Sequence, residues 1–260
     1  MKALIKYFLL KIGYKISREI KPSIISIPEP STTPYTVAEF EFDMITPSIK
    51  YSPWLSDSKF MNIYSNIVDH TLVDMYRCYE LWQIVELVHK LNKSASFLEV
   101  GVWRGGTSAI IAKKLNLLNA TSKFYIADTF FGVVKASDKD ASYSGGEHAD
   151  TSKEIVQSLL ADKYNNIEIL EGIFPNDTSK FIPKDDMFAF CHIDVDVYES
   201  AKDIIDWIWE KLIVGGTVVF DDYGYSTCTG ITRYVNEQKE MTDRIILYNL
   251  NGHAIMVKIR

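Results

Sequence analysis

The feature that most restricts how this chain can fold is a regular exchange of short apolar runs with stretches of helical periodicity. The runs are FLEV (97–100), FYIAD (124–128), IEILEG (167–172), FAFCHIDVD (188–196) and TVVFDDY (217–223). Apolar spacing predicts helices near 106–118, 150–163, 199–212 and 227–240, after one or two helices that begin at about residue 59. Strands and helices alternating in this way specify a mostly parallel sheet covered on both faces. The last two runs break the pattern. RIILYNL and HAIMVKI are joined through Asn251 and Gly252, a dipeptide that favours a type I′ turn, so they are expected to pair antiparallel. The expected fold class is therefore α/β: a Rossmann-like sheet, mostly parallel, with a C-terminal antiparallel hairpin and helices on both faces. At 260 residues, 47% hydrophobic and 24% charged, the chain suits one such domain (59–260) with an N-terminal helix and proline-rich linker (1–58) as an appendage.

Two acidic pairs close two of the strand-like runs: Asp194 and Asp196 in DVD, and Asp221 with Asp222 in DD. Neighbouring strand ends lie about 4.8 Å apart, so carboxylates at the tips of adjacent parallel strands can converge on one hard divalent cation. Without a cation they repel one another and raise each other's pKa. Residues two apart on a strand point to the same side, which predicts that Asp194 and Asp196 face one site. An oxygen-only donor set selects Mg²⁺, Mn²⁺ or Ca²⁺ over zinc. A bland reading is open to each aspartate singly, since Asp196 precedes a helix start where capping is common and Asp222 ends a strand.

After the first strand comes a glycine-bearing turn, Glu99-Val-Gly101-Val-Trp-Arg-Gly105-Gly106-Thr107-Ser108. Glycines let the backbone pass close to a ligand, and the following helix aims free N–H groups at an anionic group. The spacing is not that of a dinucleotide fingerprint. The second strand ends in Asp128, where an acid can accept hydrogen bonds from ribose hydroxyls. Together, at successive strand ends, these features favour a nucleoside ligand beyond the carboxyl edge of the sheet.

Net charge of −6 argues against a nucleic-acid partner, whose binding surface would be basic. Cys78, Cys191 and Cys228 read as buried or incidental thiols of a reducing compartment, consistent with a cytoplasmic protein. The N-terminal segment carries Lys2, Lys6, Lys11, Lys15, Arg18 and Lys21 and has no long uncharged stretch. It is read as a packing or oligomer-contact helix rather than a membrane anchor. Pro22, Pro28, Pro30 and Pro34 then mark an extended linker. The polar stretch GVVKASDKDASYSGGEHADTS is long enough to be a lid over the site; His148 within it is read as mobile surface, with a substrate contact as the alternative. His192 is read as a satisfied core histidine, Trp82, Trp207 and Trp209 as packing residues, and Tyr223 and Tyr225 as sugar-stacking candidates.

In order and spacing, FLEVGVWRGGTS, YIADTFFG, EGIFPNDT, HIDVDVYES and LIVGGTVVFDDYGYSTCTG resemble the macrocin O-methyltransferase (TylF-type) family over roughly residues 60–240. Its members include sugar-hydroxyl methyltransferases of macrolide and aminocoumarin biosynthesis. The sheet finished by an antiparallel hairpin is similarly that of class I S-adenosylmethionine-dependent methyltransferases. The resemblance implies Mg²⁺-dependent (or Mn²⁺-dependent) transfer of methyl from S-adenosylmethionine to a sugar hydroxyl. Asp194, Asp221 and Asp222 would hold the metal, with Asp196 as general base. Glu99, Gly101, Thr107, Ser108, Asp128, Thr129, Phe130, Gly172, Phe174 and Asp194 would surround the cofactor. It also implies an acceptor glycan or small molecule with vicinal hydroxyls, and a homodimer or higher homo-oligomer. Two rivals remain open. A catechol-type methyltransferase shares metal and fold and takes an aromatic diol. A nucleotide-sugar glycosyltransferase uses DxD to bind Mn²⁺ and a diphosphate, although the second acidic pair and the glycine turn suit an adenosyl ligand better.

Overall fold

The computed structural model describes residues 35–37, 40–45 and 50–260, and the chain divides into two units between residues 46 and 47. In the first unit, β1 (Tyr35–Val37) and β2 (Phe40–Phe42) form an antiparallel pair, with Tyr35 opposite Phe42. The expected N-terminal helix and the proline cluster lie outside the described residues.

The second unit opens with helices whose starts are fixed by aspartates. Helix α1 (Ser58–Ser65) begins where Asp57 accepts from Phe60 N at 3.0 Å. The other oxygen of Asp57 takes the Trp82 indole N–H at 2.9 Å, which ties α1 to α2 (Met75–Leu91). Asp74 caps α2, accepting from Tyr76 N at 2.8 Å and Arg77 N at 3.0 Å, a role worth about 1 kcal/mol. The chain then runs β3 (Ser96–Val100), α3 (Gly106–Leu117), β4 (Phe124–Asp128), α4 (Lys153–Leu160), β5 (Ile167–Glu171) and β6 (Phe188–Ile193). It continues with α5 (Tyr198–Ile208), β7 (Leu212–Phe220), α6 (Thr229–Gln238), β8 (Arg244–Tyr248) and β9 (Ala254–Lys258).

Strands β3 to β9 form one sheet of order β5-β4-β3-β6-β7-β9-β8. β3 to β7 pair in parallel, and β9 is antiparallel to both β7 and β8. Alternation along the strands sends Phe97, Phe124 and Ile126 to a core beneath α1 to α4. Leu98, Tyr125, Ala127 and Ile193 face a second core under α5 and α6. The sheet is thus covered on both faces, as the continuous apolar runs require.

Several boundaries differ from the sequence expectation. The strands stop at Ile193 and Phe220, so both acidic pairs sit just past the strand tips rather than on them. β7 starts at Leu212, five residues earlier than the TVVF run, because the chain keeps pairing with β6 across an irregularity that absorbs Gly215, at φ +82. The β8–β9 link is a longer loop than a two-residue turn: Tyr248 opposes Ala254, and Asn249 N donates to His253 O at 3.3 Å.

Sequential strands leave β3 toward β4 and β5 on one side, while β6 and β7 lie on the other. The crevice at that reversal is where open α/β sheets bind ligands. Each tip is held to its neighbour by one further backbone bond. Gly172 N donates to Asp128 O, Gly101 N to Ala127 O, Asp194 N to Val100 O and Asp221 N to Ile193 O, each at 2.9 Å. The residues that carry chemistry are therefore lined up by the ladder itself.

Candidate active site

Over these tips lies a cavity of about 300 Å³. One wall is the turn after β3. Gly101 has φ +79, and a Cβ there would meet the Asp194 carbonyl oxygen at 1.8 Å, so only glycine lets β3 and β6 approach so closely. Asp128 organises this wall: Oδ2 accepts from Val102 N at 2.7 Å and Trp103 N at 3.0 Å, and Oδ1 from Phe130 N at 2.7 Å. Burial raises its pKa, and these backbone bonds offset that only in part.

Of the residues expected around a cofactor, Gly101, Thr107, Asp128, Thr129, Gly172, Phe174 and Asp194 line the cavity. Glu99, Ser108 and Phe130 are not among the lining residues. Glu99 is fully buried beneath the turn, where it accepts from the Ser108 hydroxyl and faces His192 Nδ1 at 2.8 Å. Phe130 packs on the core under α1 to α4. His192 Nε2 has no hydrogen-bond partner among the described residues, so the expected satisfied core histidine is satisfied on one side. Tyr225 and His148 line the cavity, whereas Tyr223 turns away to Tyr248, ring centroids 5.9 Å apart.

At the opposite wall the four aspartates meet, and Asp222 links them. Carboxylate oxygens of Asp194, Asp221 and Asp222 lie within 4.8 Å of one another, and Asp222 falls in a second such group with Asp196 and Cys228. Asp194 and Asp196 share the site without strand alternation, because the strand has ended and Asp196 turns back at φ +64. Burial first, and then the charges of Asp221 and Asp222, push Asp194 well above the ordinary carboxylate pKa. Asp222 is raised in the same way by burial and by Asp221 and Asp196. Asp221 goes the other way. Burial pushes it up, but the hydrogen bond from His253, its charge and that of Arg77 carry it down to about 2.

Two basic side chains that sequence reasoning missed lie against this cluster. Arg77, from α2 and 5% exposed, places Nη1 2.6 Å from Asp221 Oδ1 and 3.1 Å from Asp222 Oδ1. Its Nε donates to Asp74 at 2.9 Å, and its guanidinium carbon lies 5.0 Å from the centre of the Tyr225 ring. Burial opposes its charge, yet Asp221 and Asp222 raise its pKa further. His253, fully buried, holds Nδ1 2.7 Å from Glu80 Oε2 and Nε2 3.0 Å from Asp221 Oδ1. Burial lowers its pKa, but Asp221 and Glu80 together raise it by more. The sequence signal for Arg77 was a lone cation on the stripe of Leu81 and Val85, the buried side of α2.

The donor set suits a hard divalent ion. It is all oxygen, it belongs to three carboxylates, and both bonds from Arg77 fall on Oδ1, which leaves one oxygen each of Asp221 and Asp222 outside that contact.

A sheet of this order, with a ligand crevice at its reversal and an acid at the end of the second parallel strand, defines a class I methyltransferase. The solved O-methyltransferase NovP superposes with a TM-score of 0.63 at 26% identity, over 74% of this chain and 83% of that one. Residues 61–255 match the macrocin-O-methyltransferase (TylF) family, and the chain belongs to it. Its relatives include the mycinamicin III 3''-O-methyltransferase of Micromonospora griseorubida, 26% identical over 71% of this chain and 77% of that protein. The demethyldecarbamoylnovobiocin O-methyltransferase of Streptomyces niveus is 26% identical over 70% of this chain and 74% of its own. The chain is thus an O-methyltransferase, and the glycosyltransferase reading of DVD falls away. No helix among the described residues is long and apolar enough to cross a membrane.

Proposed function

We propose that this enzyme methylates a sugar hydroxyl of a glycosylated natural product or polysaccharide, with S-adenosylmethionine as donor, a divalent cation of the magnesium type, and Asp196 as general base. The observation that carries the reading is the convergence of Asp194, Asp221 and Asp222 beside Asp196 on the rim of the glycine-walled cavity. The relatives named above support the acceptor class, since one is a 3''-O-methyltransferase of a mycinamicin.

The glycine turn, Thr107 at the start of α3 and Asp128 would hold the adenosyl donor, with Asp128 accepting from the ribose diol as well as from the turn's own amides. Bound there, S-adenosylmethionine supplies its methyl on a positively charged sulfur and leaves as the neutral thioether. Asp194, Asp221 and Asp222 would hold the cation, which when bound stabilises negative charge developing on the acceptor oxygen. An aliphatic hydroxyl is a weak nucleophile near neutral pH. Asp196 takes its proton as the oxygen–carbon bond forms and the carbon–sulfur bond breaks, giving a methyl ether and a protonated carboxyl that returns its proton to water. Alignment contributes most of the rest, because the two reactants meet at fixed strand tips. In this reading the enzyme acts in the cytoplasm as a homodimer.

The test is methyl transfer to a panel of methyl glycosides, combined with calorimetry. Asp196→Asn is expected to lose turnover by about 10²-fold or more while binding S-adenosylmethionine normally. Asp221→Ala is expected to lose Mg²⁺ binding and activity together. Full activity of either variant, or undiminished turnover of the wild type in EDTA, would overturn the assignment.

A further inference from the structure

The segment between β4 and α4, without regular structure of its own, is not a loose cover. It is stitched across the site at both ends and in the middle. At its start, Val133 N donates to Glu147 O at 2.9 Å and Gly146 N to Val133 O at 2.8 Å, closing the loop on itself. At its end, Asp150 receives the Trp103 indole N–H at 2.8 Å and Arg104 Nη2 at 2.7 Å. In the middle, Asp140, only 7% exposed, accepts from Tyr198 N at 2.9 Å with Oδ1. Its Oδ2 takes Ser137 N at 2.9 Å and the Ser137 hydroxyl at 3.0 Å. Tyr198 is the first residue of α5, and its own N-cap residue, Val197, offers no side-chain acceptor. The loop therefore caps the helix that begins two residues after Asp196. Further bonds from Ala141 N to Thr229 Oγ1 at 3.1 Å and from Ser200 Oγ to Val134 O at 2.9 Å fasten it to α6 and α5.

Three residues beyond Asp140, the Tyr143 phenol donates to Asp196 Oδ1 at 2.7 Å. Cys228 Sγ, 2% exposed, lies 3.8 Å from both of those oxygens. Tyr143, Asp196 and Cys228 all border the cavity. The phenol is a donor and not a phenolate, because burial first and the Asp196 charge second raise its pKa.

We propose that Tyr143 is a positioning residue for methyl transfer: its hydroxyl fixes Asp196 Oδ1, so that Oδ2 is the oxygen that meets the acceptor, and Asp140 sets Tyr143 in place by capping α5. This rests on the reading of Asp196 as the base. Asp196 needs such a guide, because it lies past the strand end at φ +64, where the sheet no longer orients it. Tyr143 keeps its proton throughout the reaction, and the acceptor's proton goes to Asp196. A hydrogen bond to a charged acceptor of this kind is worth about tenfold to a hundredfold in rate when it matters only for orientation.

Two readouts test this. In the first, Tyr143→Phe is assayed with the methyl glycosides that the wild type methylates. The expected result is a kcat lower by about tenfold to a hundredfold, with acceptor KM and S-adenosylmethionine affinity changed less than about twofold. The second needs no acceptor: alkylation of Cys228 by iodoacetamide, followed by peptide mass spectrometry. Tyr143→Phe and Asp196→Ala are each expected to raise its rate several-fold, since each removes the phenol–carboxylate bond and one of the two contacts that cover Cys228. Asp140→Asn, which keeps the side-chain volume, is expected to raise it as well. If Tyr143→Phe leaves both kcat and Cys228 alkylation at wild-type values, the proposal is overturned. If Asp196→Asn stays active while Tyr143→Phe unmasks Cys228, the base assignment fails and the clamp stands. Should the wild type methylate none of the glycosides, the sugar reading fails and the alkylation arm alone decides the role of Tyr143.

Discussion

Arg77→Met gives the most demanding test of how the acidic site is held together. The guanidinium is 5% exposed and bonds Asp221, Asp222 and Asp74, so solvent screening does little to dilute its loss. Methionine matches much of the volume and can still meet the Tyr225 ring, which isolates the charge. Before the change, Arg77 bonds Asp221 and Asp222 and His253 lies against Asp221; afterwards only the His253 contact is left. Removing one partner of a buried pair costs about 3–5 kcal/mol. The lower end applies here, because the pKa values of Asp194 and Asp222 are already raised and both can shed charge by binding protons. The expected loss is therefore about 3 kcal/mol in EDTA near neutral pH, or roughly 6–12 °C in Tm.

The pH dependence has a definite sign. Asp194 and Asp222 have folded pKa values above their unfolded ones, so the fold binds protons that the unfolded chain releases. Their effect on stability is most favourable below the unfolded value of about 4 and worsens as pH rises through the raised values. His253, also raised, contributes stability that is present below about pH 6.5 and lost as pH climbs through its folded pKa. Asp221, lowered to about 2, contributes in the opposite sense, and its stabilisation disappears only in strong acid. Urea denaturation of the variant in EDTA should show a deficit that widens from pH 5 to pH 8. Saturating Mg²⁺, at about a hundred times its Kd, should restore about 2.7 kcal/mol. Arg77→Lys, which keeps charge without the planar fork, should fall between the two. A methionine variant as stable as the wild type in EDTA at pH 8 would refute the claim that this arginine neutralises the site.

Two further outcomes follow from the cofactor wall. Gly101→Ala would place a methyl 1.8 Å from the Asp194 carbonyl oxygen in a left-handed conformation; separation of β3 from β6 should abolish S-adenosylmethionine binding by calorimetry, and normal affinity would contradict the close approach. Asp128→Asn leaves one acceptor oxygen where the carboxylate uses two for three backbone amides; the amide then faces an N–H, and affinity for S-adenosylmethionine should fall at least about tenfold, in line with about 1–3 kcal/mol for an unsatisfied group.

What the chain discloses in advance, and what it does not, divides along the range of the interactions involved. FYIAD, IEILE and the glycine turn after FLEV were legible because a strand's period and a glycine's freedom are local properties. Asp194 and Asp196 were paired correctly for a reason that does not hold: alternation ends at Ile193, and a left-handed residue brings Asp196 round. The TVVF run placed the start of this strand at 217, yet β7 begins at Leu212 and runs through Gly215 and Gly216, because pairing with β6 outweighs local propensity. The basic side chains of the site were invisible, since Arg77 meets Asp221 across 144 residues and His253 meets Glu80 across 173. Tyr143 and Asp140 lie in a stretch without period, and their partners are 53 and 58 residues away. A lone arginine on an apolar helical stripe is nevertheless a usable warning, because burying a guanidinium without a carboxylate costs more than a helix of this kind can offset. In this chain Arg77 finds its carboxylates in Asp74 at the start of its own helix and in the Asp221–Asp222 pair past the tip of β7, so α2 packs with Arg77 against that pair. Fold and charge balance thus impose the same docking of α2, and the acidic site is assembled as a consequence of folding.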